Sequence, residues 1–293
     1  MNAAIDRIDP ADYPNQDVYA VIGHPIAHSK SPVIHKNFAQ QTGESIHYGR
    51  IFSELDEFRD TVNIFFAHGG KGLNITVPFK LQAFEMAERK TPRAQLAQAV
   101  NVLWMRDGQL WGDNTDGVGL TRDLQRLMAR QGENLRGAKV LILGAGGAAQ
   151  GVIPLLQEVG VSDLVVTNRT HSKALEIAQQ YDGLRAMTLD EIIGSNPIVK
   201  FDLIINATAT GLGDSSPIST DVLKVIAHPK TLAYDMVYGK ETRFMKDAQA
   251  LSIHAVDGLG MLVEQAAEAF MIWRQPTQPL DIDAAIAAVR ASY

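Results

Sequence analysis

Cysteine is absent from all 293 residues, which excludes disulfides, thiolate nucleophiles and cysteine-ligated zinc or iron–sulfur centres. Long apolar runs are absent too. The longest, Val140 to Ala149, has ten residues, three of them glycine, against the ~20 that a membrane-spanning helix needs. Nor is there an excess of cations: Lys and Arg number 27 against 33 Asp and Glu, a formal charge of −6. The cations are scattered along the chain, so no nucleic-acid partner and no membrane partner is expected. Met1 to Asn15 holds three aspartates and two prolines but no basic stretch leading into an apolar one, so it is not a signal peptide. It reads as a short frayed extension of a cytoplasmic protein. What is present is ordinary globular usage, 46% hydrophobic and 20% charged, over a length that allows two domains at roughly 150 residues each.

The first block alternates strand-like and helix-like stretches. Strands are expected at Val18–Ile22, His47–Phe52 and Gly72–Val77, and helices at Leu55–Ala67, Lys80–Glu88 and Ala94–Val100. Ser31 offers a helix N-cap with Pro32 at the first helical position, opening a helix to about Gln41. Asn101–Arg106 and Gln109–Gly112 flank Asp107-Gly108, a two-residue hairpin signal. This order predicts a mostly parallel sheet with an antiparallel edge. A second block starts near Asp116, with Leu120, Leu124, Leu127 and Met128 at helical spacing. Strands at Lys139–Leu143, Leu164–Thr167 and Asp202–Asn206 then alternate with helices to about Val159 and over Ser172–Tyr181. That is the βαβαβ order of a dinucleotide-binding half. A strand at Leu232–Asp235 and helices at Thr242–Leu251, Gly260–Trp273 and Asp283–Arg290 complete the chain.

Gly144-x-Gly146-x-x-Ala149 follows a strand and opens a helix, as a pyrophosphate-binding turn must. The first glycine permits the tight turn, and the second lets backbone N–H groups reach the phosphates at the positive end of the helix dipole. NAD-selective sites place a carboxylate at the end of the next strand to accept from the ribose 2′-hydroxyl. Here Val166-Thr167 runs into Asn168-Arg169-Thr170, with Lys173 following and no carboxylate, while Asp163 precedes the strand. A guanidinium and an ammonium pair with a 2′-phosphate, so the cofactor expected is NADP. On the residues alone, Arg169 and Lys173 also read as solvated cations at the start of a surface helix.

Polar residues stand at several element ends of the first block. Ser29-Lys30-Ser31-Pro32 lies at a helix N-terminus, where hydroxyls and free N–H groups suit a carboxylate; the other reading is that Ser31 only caps its helix. Asn74 and Thr76 share one face of a strand by period-2 alternation, and Lys80 opens the next helix near that strand's C-terminal edge. Gly112-Asp113-Asn114-Thr115-Asp116-Gly117 is a polar turn that also reads as a plain helix start.

Together these stretches resemble the shikimate dehydrogenase family. The resemblance runs from about Val18 to Trp273 and adds Gly23 to Lys30, Ala99-Val100-Asn101 and Asp257-Gly258-Leu259-Gly260-Met261-Leu262 to the motifs above. It implies a two-lobed α/β fold: a substrate domain over 1–115 completed by helices in 259–293, and a Rossmann-type NADP-binding domain over 116–258. It implies an NADP-dependent oxidoreductase that interconverts 3-dehydroshikimate and shikimate in aromatic amino acid biosynthesis. Ser29 and Ser31, assisted by Tyr238, match the residues that bind the substrate carboxylate, and Thr76, Asn101 and Gln265 match those around the ring hydroxyls. Lys80 and Asp116 match the catalytic pair. Gly144, Ala145, Gly146, Gly147 and Ala148 match the pyrophosphate loop, and Asn168, Arg169, Thr170 and Lys173 the 2′-phosphate segment. Met236, Gly258 and Met261 match residues beside the nicotinamide.

The chain departs from the family pattern at Pro92, where some members carry a cofactor-side acid, at Val102 and at Ala209-Thr210. None of these touches the proposed chemistry, in which Lys80 passes a proton to the C3 oxygen while Asp116 orients it. The alternatives are an enzyme that uses NAD and quinate, which Asn168-Arg169 disfavours, and a catalytically inert NADP sensor, which the intact Lys80 and Asp116 disfavour. A third, an amino-acid-type dehydrogenase, is disfavoured by the Ser-x-Ser pair. The expected partner is a small-molecule substrate, and the expected assembly a monomer or homodimer. Eight histidines include His24, His28 and His35, but none is spaced with carboxylates on one helix face, so no metal is expected.

Overall fold

In the computed structural model, which describes residues 8–208, 210 and 213–293, Val18, Ala20 and Ile22 turn to one side of the strand β1 (Asp17–Gly23) and Tyr19 and Val21 to the other. Both sides are buried, which is why this run is apolar throughout rather than alternating. The remaining strands of its sheet are β2 (Ile46–Phe52), β3 (Gly72–Ile75), β4 (Arg89–Lys90), β5 (Val102–Arg106) and β6 (Gln109–Asp113). Their spatial order is β2-β1-β3-β5-β6-β4. β1 pairs parallel with β2 and β3, and β5 pairs antiparallel with β3 and β6. The antiparallel strand is therefore interior, not at the edge as expected. The edge is β4, two residues long and parallel to β6, too short to leave a sequence signal. The β5–β6 turn has positive φ at both Asp107 and Gly108, the geometry expected of a tight hairpin.

The helices of this part are α1 (Ser31–Thr42), α2 (Phe58–Ala67), α3 (Lys80–Met86) and α4 (Pro92–Ala97). Val62 and Phe65 of α2 pack with Val18, Ile22 and Leu73, and Phe58 stacks on Phe79 at 4.6 Å. Full burial of such a side chain stabilises by roughly 1.5–3 kcal/mol. The expected frayed N-terminus is corrected here for its described residues. Ile8 is buried in the same core, Asp9 caps a turn at Pro10–Asp12, and Tyr13 stacks on His47 at 3.8 Å. Residues 1–7 of that stretch lie outside the described residues.

The chain divides into two units, one comprising the residues up to Asp116 with Val263–Tyr293, the other Gly117–Leu262. The second contains β7 (Lys139–Leu143), β8 (Asp163–Thr167), β9 (Leu184–Ala186), β10 (Leu203–Asn206), β11 (Leu232–Asp235) and β12 (His254–Asp257). All are parallel, in the order β12-β11-β10-β7-β8-β9, the doubly wound arrangement of dinucleotide-binding folds. Its helices are α5 (Asp116–Arg130, whose first residue closes the first unit), α6 (Gly147–Val159), α7 (His171–Ala178), α8 (Leu189–Ile193), α9 (Thr220–Ile226) and α10 (Arg243–Ala250). Val140 and Ile142 face one core and Leu141 and Leu143 the other, so this strand too is apolar on both sides. α11 (Leu259–Arg274) then leads back to the first unit, where α12 (Ile282–Arg290) ends the helical part. Trp273 of α11 stacks on Tyr19 at 4.8 Å and covers the second face of β1.

Candidate active site

Lys80 is the first residue of α3 and Asp116 the first of α5, and the Lys80 Nζ lies 2.5 Å from the Asp116 Oδ2. Both side chains are about 30% exposed, open enough to meet a ligand. The other carboxylate oxygen of Asp116 accepts from Asn101 Nδ2 at 2.9 Å. Asn101 itself is buried and ties three segments together. Its carbonyl accepts from Ile75 N–H, its own N–H donates to the Asp113 carbonyl, and its side-chain oxygen accepts from Thr115 N–H at 2.8 Å. Gln265, on α11, is held in the same cluster, with its Oε1 3.4 Å from Asn101 Nδ2 and its carbonyl accepting from the Thr115 hydroxyl at 3.1 Å. Lys80, Asn101, Asp116 and Gln265 are thus brought together in one unit.

Ser29 and Ser31 form a second cluster. The Ser29 hydroxyl donates to Ser31 Oγ at 3.2 Å and accepts from Ser31 N–H at 3.3 Å. Lys30, not Ser31, occupies the N-cap, and it does so without a side-chain cap bond. The capping reading of Ser31 is therefore corrected: its hydroxyl is directed elsewhere, beside the Tyr48 oxygen. Arg50 fixes the loop by donating twice to the Ser29 carbonyl, at 3.0 and 2.6 Å.

Asn74 joins the two clusters. Its Oδ1 accepts from the Tyr48 hydroxyl at 2.6 Å and from His35 Nε2 at 3.1 Å, and its Nδ2 points to the Asn101 carbonyl at 3.4 Å. The Asn101 carbonyl can only accept, so the Asn74 amide nitrogen faces it and the amide oxygen faces Tyr48 and His35. His35 stacks on Tyr48 at 4.1 Å, and complete burial holds its pKa down at about 3. It stays neutral, with the proton on Nε2 and a bare Nδ1. The resemblance does not place Asn74 among its site residues, although period-2 alternation puts it on the face of Thr76. Thr76 lies one residue beyond the end of β3, so the strand is shorter than expected, and this residue is half-exposed where Asn74 is buried.

The cofactor candidates collect at the C-terminal edge of the second unit's sheet, where open α/β sheets take their ligands. Gly144 has φ +108, and a Cβ there would lie 3.1 Å from the Ala207 carbonyl oxygen, so only glycine fits. Gly146 is the N-cap of α6, whose first turn carries no side-chain cap, and a Cβ on Gly146 or Gly147 would meet open space. A phosphate group fits such a cradle. Ala145 packs against the core below and Ala148 follows Gly147 in the first turn. Gly144 N–H donates to the Thr167 carbonyl, which sets the end of β8 beside the loop. There Asn168 bonds to the Thr170 carbonyl, and Arg169, Thr170 and Lys173 are exposed. Asp163, at the other end of the strand, is paired with Arg185. Cations without a carboxylate at this position fit a 2′-phosphate.

Met236 and Gly258 meet closely at the same edge: a Cβ on Gly258 would be 2.5 Å from the Met236 carbonyl oxygen. Met261 packs onto the core, and Gly260 lies against Asp123, a buried carboxylate whose pKa burial pushes up and which accepts from Tyr234 at 2.9 Å. Tyr238 belongs to this second unit and is 38% exposed. Ala209 lies outside the described residues. Among the described residues no group of three or more His, Asp or Glu is placed to hold a metal ion, and no helix is long and apolar enough to cross a membrane.

Comparison with known proteins gives this geometry its context. Residues 21–103 match the family model for the shikimate dehydrogenase substrate binding domain, and residues 126–214 that for shikimate / quinate 5-dehydrogenase. The shikimate dehydrogenase (NADP(+)) of Marinobacter nauticus is 50% identical over 270 residues, covering 88% of this chain and 93% of its own. The chain belongs to the shikimate dehydrogenase family. A second relative in that family, from Cupriavidus taiwanensis, is 48% identical over 267 residues and covers 88% of each chain. A solved shikimate dehydrogenase structure from Thermus thermophilus, in complex with NADP(H) and shikimate, matches with a TM-score of 0.81 at 31% identity over 95% of this chain and all of its own. These relatives are NADP-dependent oxidoreductases acting on a CH–OH group, and the α/β fold with a dinucleotide-binding sheet is the one expected from the sequence.

Proposed function

We propose that this chain is an NADP-dependent shikimate dehydrogenase that reversibly reduces 3-dehydroshikimate to shikimate, and that Lys80 and Asp116 carry the proton transfer. The carrying observation is the 2.5 Å Lys80–Asp116 pair in a network that reaches both the Ser-x-Ser hydroxyls and Gln265. Reducing a ketone needs a hydride on carbon and a proton on oxygen, with negative charge growing on that oxygen. NADPH, when bound, supplies the hydride. Lys80 donates its proton to the C3 oxygen and takes it back in the oxidative direction, and its positive charge opposes the growing oxyanion. Asp116 holds the ammonium in place with one oxygen while Asn101 fixes the other.

The remaining roles follow from the same reading. Ser29 and Ser31 offer hydroxyl donors to the substrate carboxylate, with Tyr238 assisting, and Thr76, Asn101 and Gln265 meet the ring hydroxyls. The first unit is assigned to substrate and the second to cofactor. Gly144 to Ala148 hold the pyrophosphate, Asn168 to Lys173 the 2′-phosphate, and Met236, Gly258 and Met261 border the nicotinamide. The enzyme works in the cytoplasm, as a monomer or homodimer and without nucleic acid. Absorbance at 340 nm tests the activity, with shikimate or quinate offered against NADP or NAD. Turnover with shikimate and NADP well above the other three pairs is expected, and no turnover with that pair contradicts the reading.

A further inference from the structure

We propose that Arg93 is a positioning residue for the catalytic pair, locking the turn that carries Asp116 to the helix that carries Gln265. The inference rests on the functional reading above and extends it to a residue that touches neither Lys80 nor Asp116. Arg93 stands in the first turn of α4 and spreads its guanidinium over two carboxylates. Its Nε and Nη2 donate to the two oxygens of Asp113, at 3.1 and 2.5 Å, and its Nη1 donates to Glu268 at 2.8 Å. Asp113 is 2% exposed and Glu268 13%, so the fork is largely withdrawn from solvent on its acidic side.

Each end of the bridge leads to a reacting group. Asp113 begins the polar turn. Its Oδ1 accepts from Asn114 N–H at 2.7 Å, Asn114 Oδ1 in turn accepts from Asp116 N–H at 3.1 Å, and the Asp113 carbonyl accepts from Asn101 N–H. Thr91, the N-cap of α4, donates to the same Asp113 oxygen. Glu268 lies three residues after Gln265 on α11, hence on the same helix face. One planar cation therefore sets the spacing between the segment holding Asp116 and the segment holding Gln265. Only arginine offers donors in a fixed fork for two carboxylates at once; a lysine at this position is a point charge and satisfies them one at a time.

The test compares Arg93→Lys, which keeps the charge, with Arg93→Ala and with the wild type, using kcat, KM for shikimate and for NADP, the pH profile of kcat/KM, and the thermal midpoint. A misplacement near 1 Å costs as much as ~100-fold in rate. Arg93→Lys is expected to lose about 10- to 100-fold in kcat for shikimate, to shift the pH profile, and to leave KM for NADP within about twofold of wild type. If Arg93→Ala folds, guanidinium ion below denaturing concentration should restore part of its turnover. If it does not fold, Arg93→Lys alone decides. Wild-type kcat and pH profile in a folded Arg93→Lys protein overturn the inference, as does a loss that only tracks the fraction unfolded. Should the wild type itself fail to turn over shikimate with NADP, the functional reading falls instead.

Discussion

The two units handle polarity in opposite ways. In the first, the candidate substrate residues Asn101 and Gln265 are buried in a hydrogen-bonded network, which Asn74 and His35 extend toward the serine loop. In the second, the candidate phosphate-binding residues are open, with Gly146 and Gly147 facing open space and Arg169 and Lys173 exposed on the surface. On the proposed assignment of substrate to the first unit and cofactor to the second, the difference follows from what each recognises. A small ring with several hydroxyls is distinguished by where donors and acceptors stand, so those groups must be fixed before it arrives. A dinucleotide brings phosphates that backbone N–H groups and long cationic side chains meet with little built-in geometry. Substitutions in the first unit should therefore cost turnover, and substitutions in the second should cost cofactor affinity.

The sharpest break of that contrast comes from Asp116→Asn. Losing the ion pair with Lys80 should lower kcat by about 10²-fold or more, with KM for NADP close to wild type in steady-state assays. Gly144→Ala comes next. A side chain at φ +108 against the Ala207 carbonyl is strained by about 1–3 kcal/mol, so both the thermal midpoint and NADP affinity should fall while shikimate binding in calorimetry changes little. Arg169→Ala should raise KM for NADP about tenfold, the value of one charge-assisted contact, and leave KM for NAD unchanged. Equal losses with both cofactors argue against a 2′-phosphate contact.

At neutral pH the smallest effect is that of His35, which acts only as the solution is acidified. His35 has a folded pKa near 3 against 6.5 for the free side chain, so between those values the unfolded chain binds the extra proton. Stability from keeping His35 neutral is fully present above about pH 6.5 and is lost as pH falls toward 3, by at most about 1.4 kcal/mol per unit. Unfolding midpoints of His35→Gln across that window should fall less steeply than those of the wild type. Parallel slopes contradict the role of the buried ring.

Much of this is legible in the residues because the signals are local. Val18–Ile22 and Lys139–Leu143 are apolar runs bounded by turn residues, and Asp107-Gly108 can hardly be anything but a hairpin turn. Lys80 and Asp116 stand out as a pair through the family's motifs, without any distance. The elements missed are short: β4 has two residues, β9 three, β12 four, α8 five and α9 seven, too short for periodicity to mark them. The capping box of Thr188 and Glu191 is a sequence signal for α8, and Ser219 likewise marks α9. The role of Asn74 is not legible, because its partners Tyr48 and His35 lie 26 and 39 residues away and come together only through the pairing of β1 with β2 and β3 and the packing of α1 against that sheet. The same holds for the interior position of β5, which depends on where the chain returns after the hairpin.

The most direct single measurement is turnover of Lys80→Ala with shikimate and NADP, taken together with its shikimate affinity by calorimetry. A fall in kcat of ~10²–10⁴-fold with shikimate still bound is the expected result. Turnover near that of the unaltered enzyme would mean that the proton travels by another group, and that the ammonium at this position only shapes the pocket.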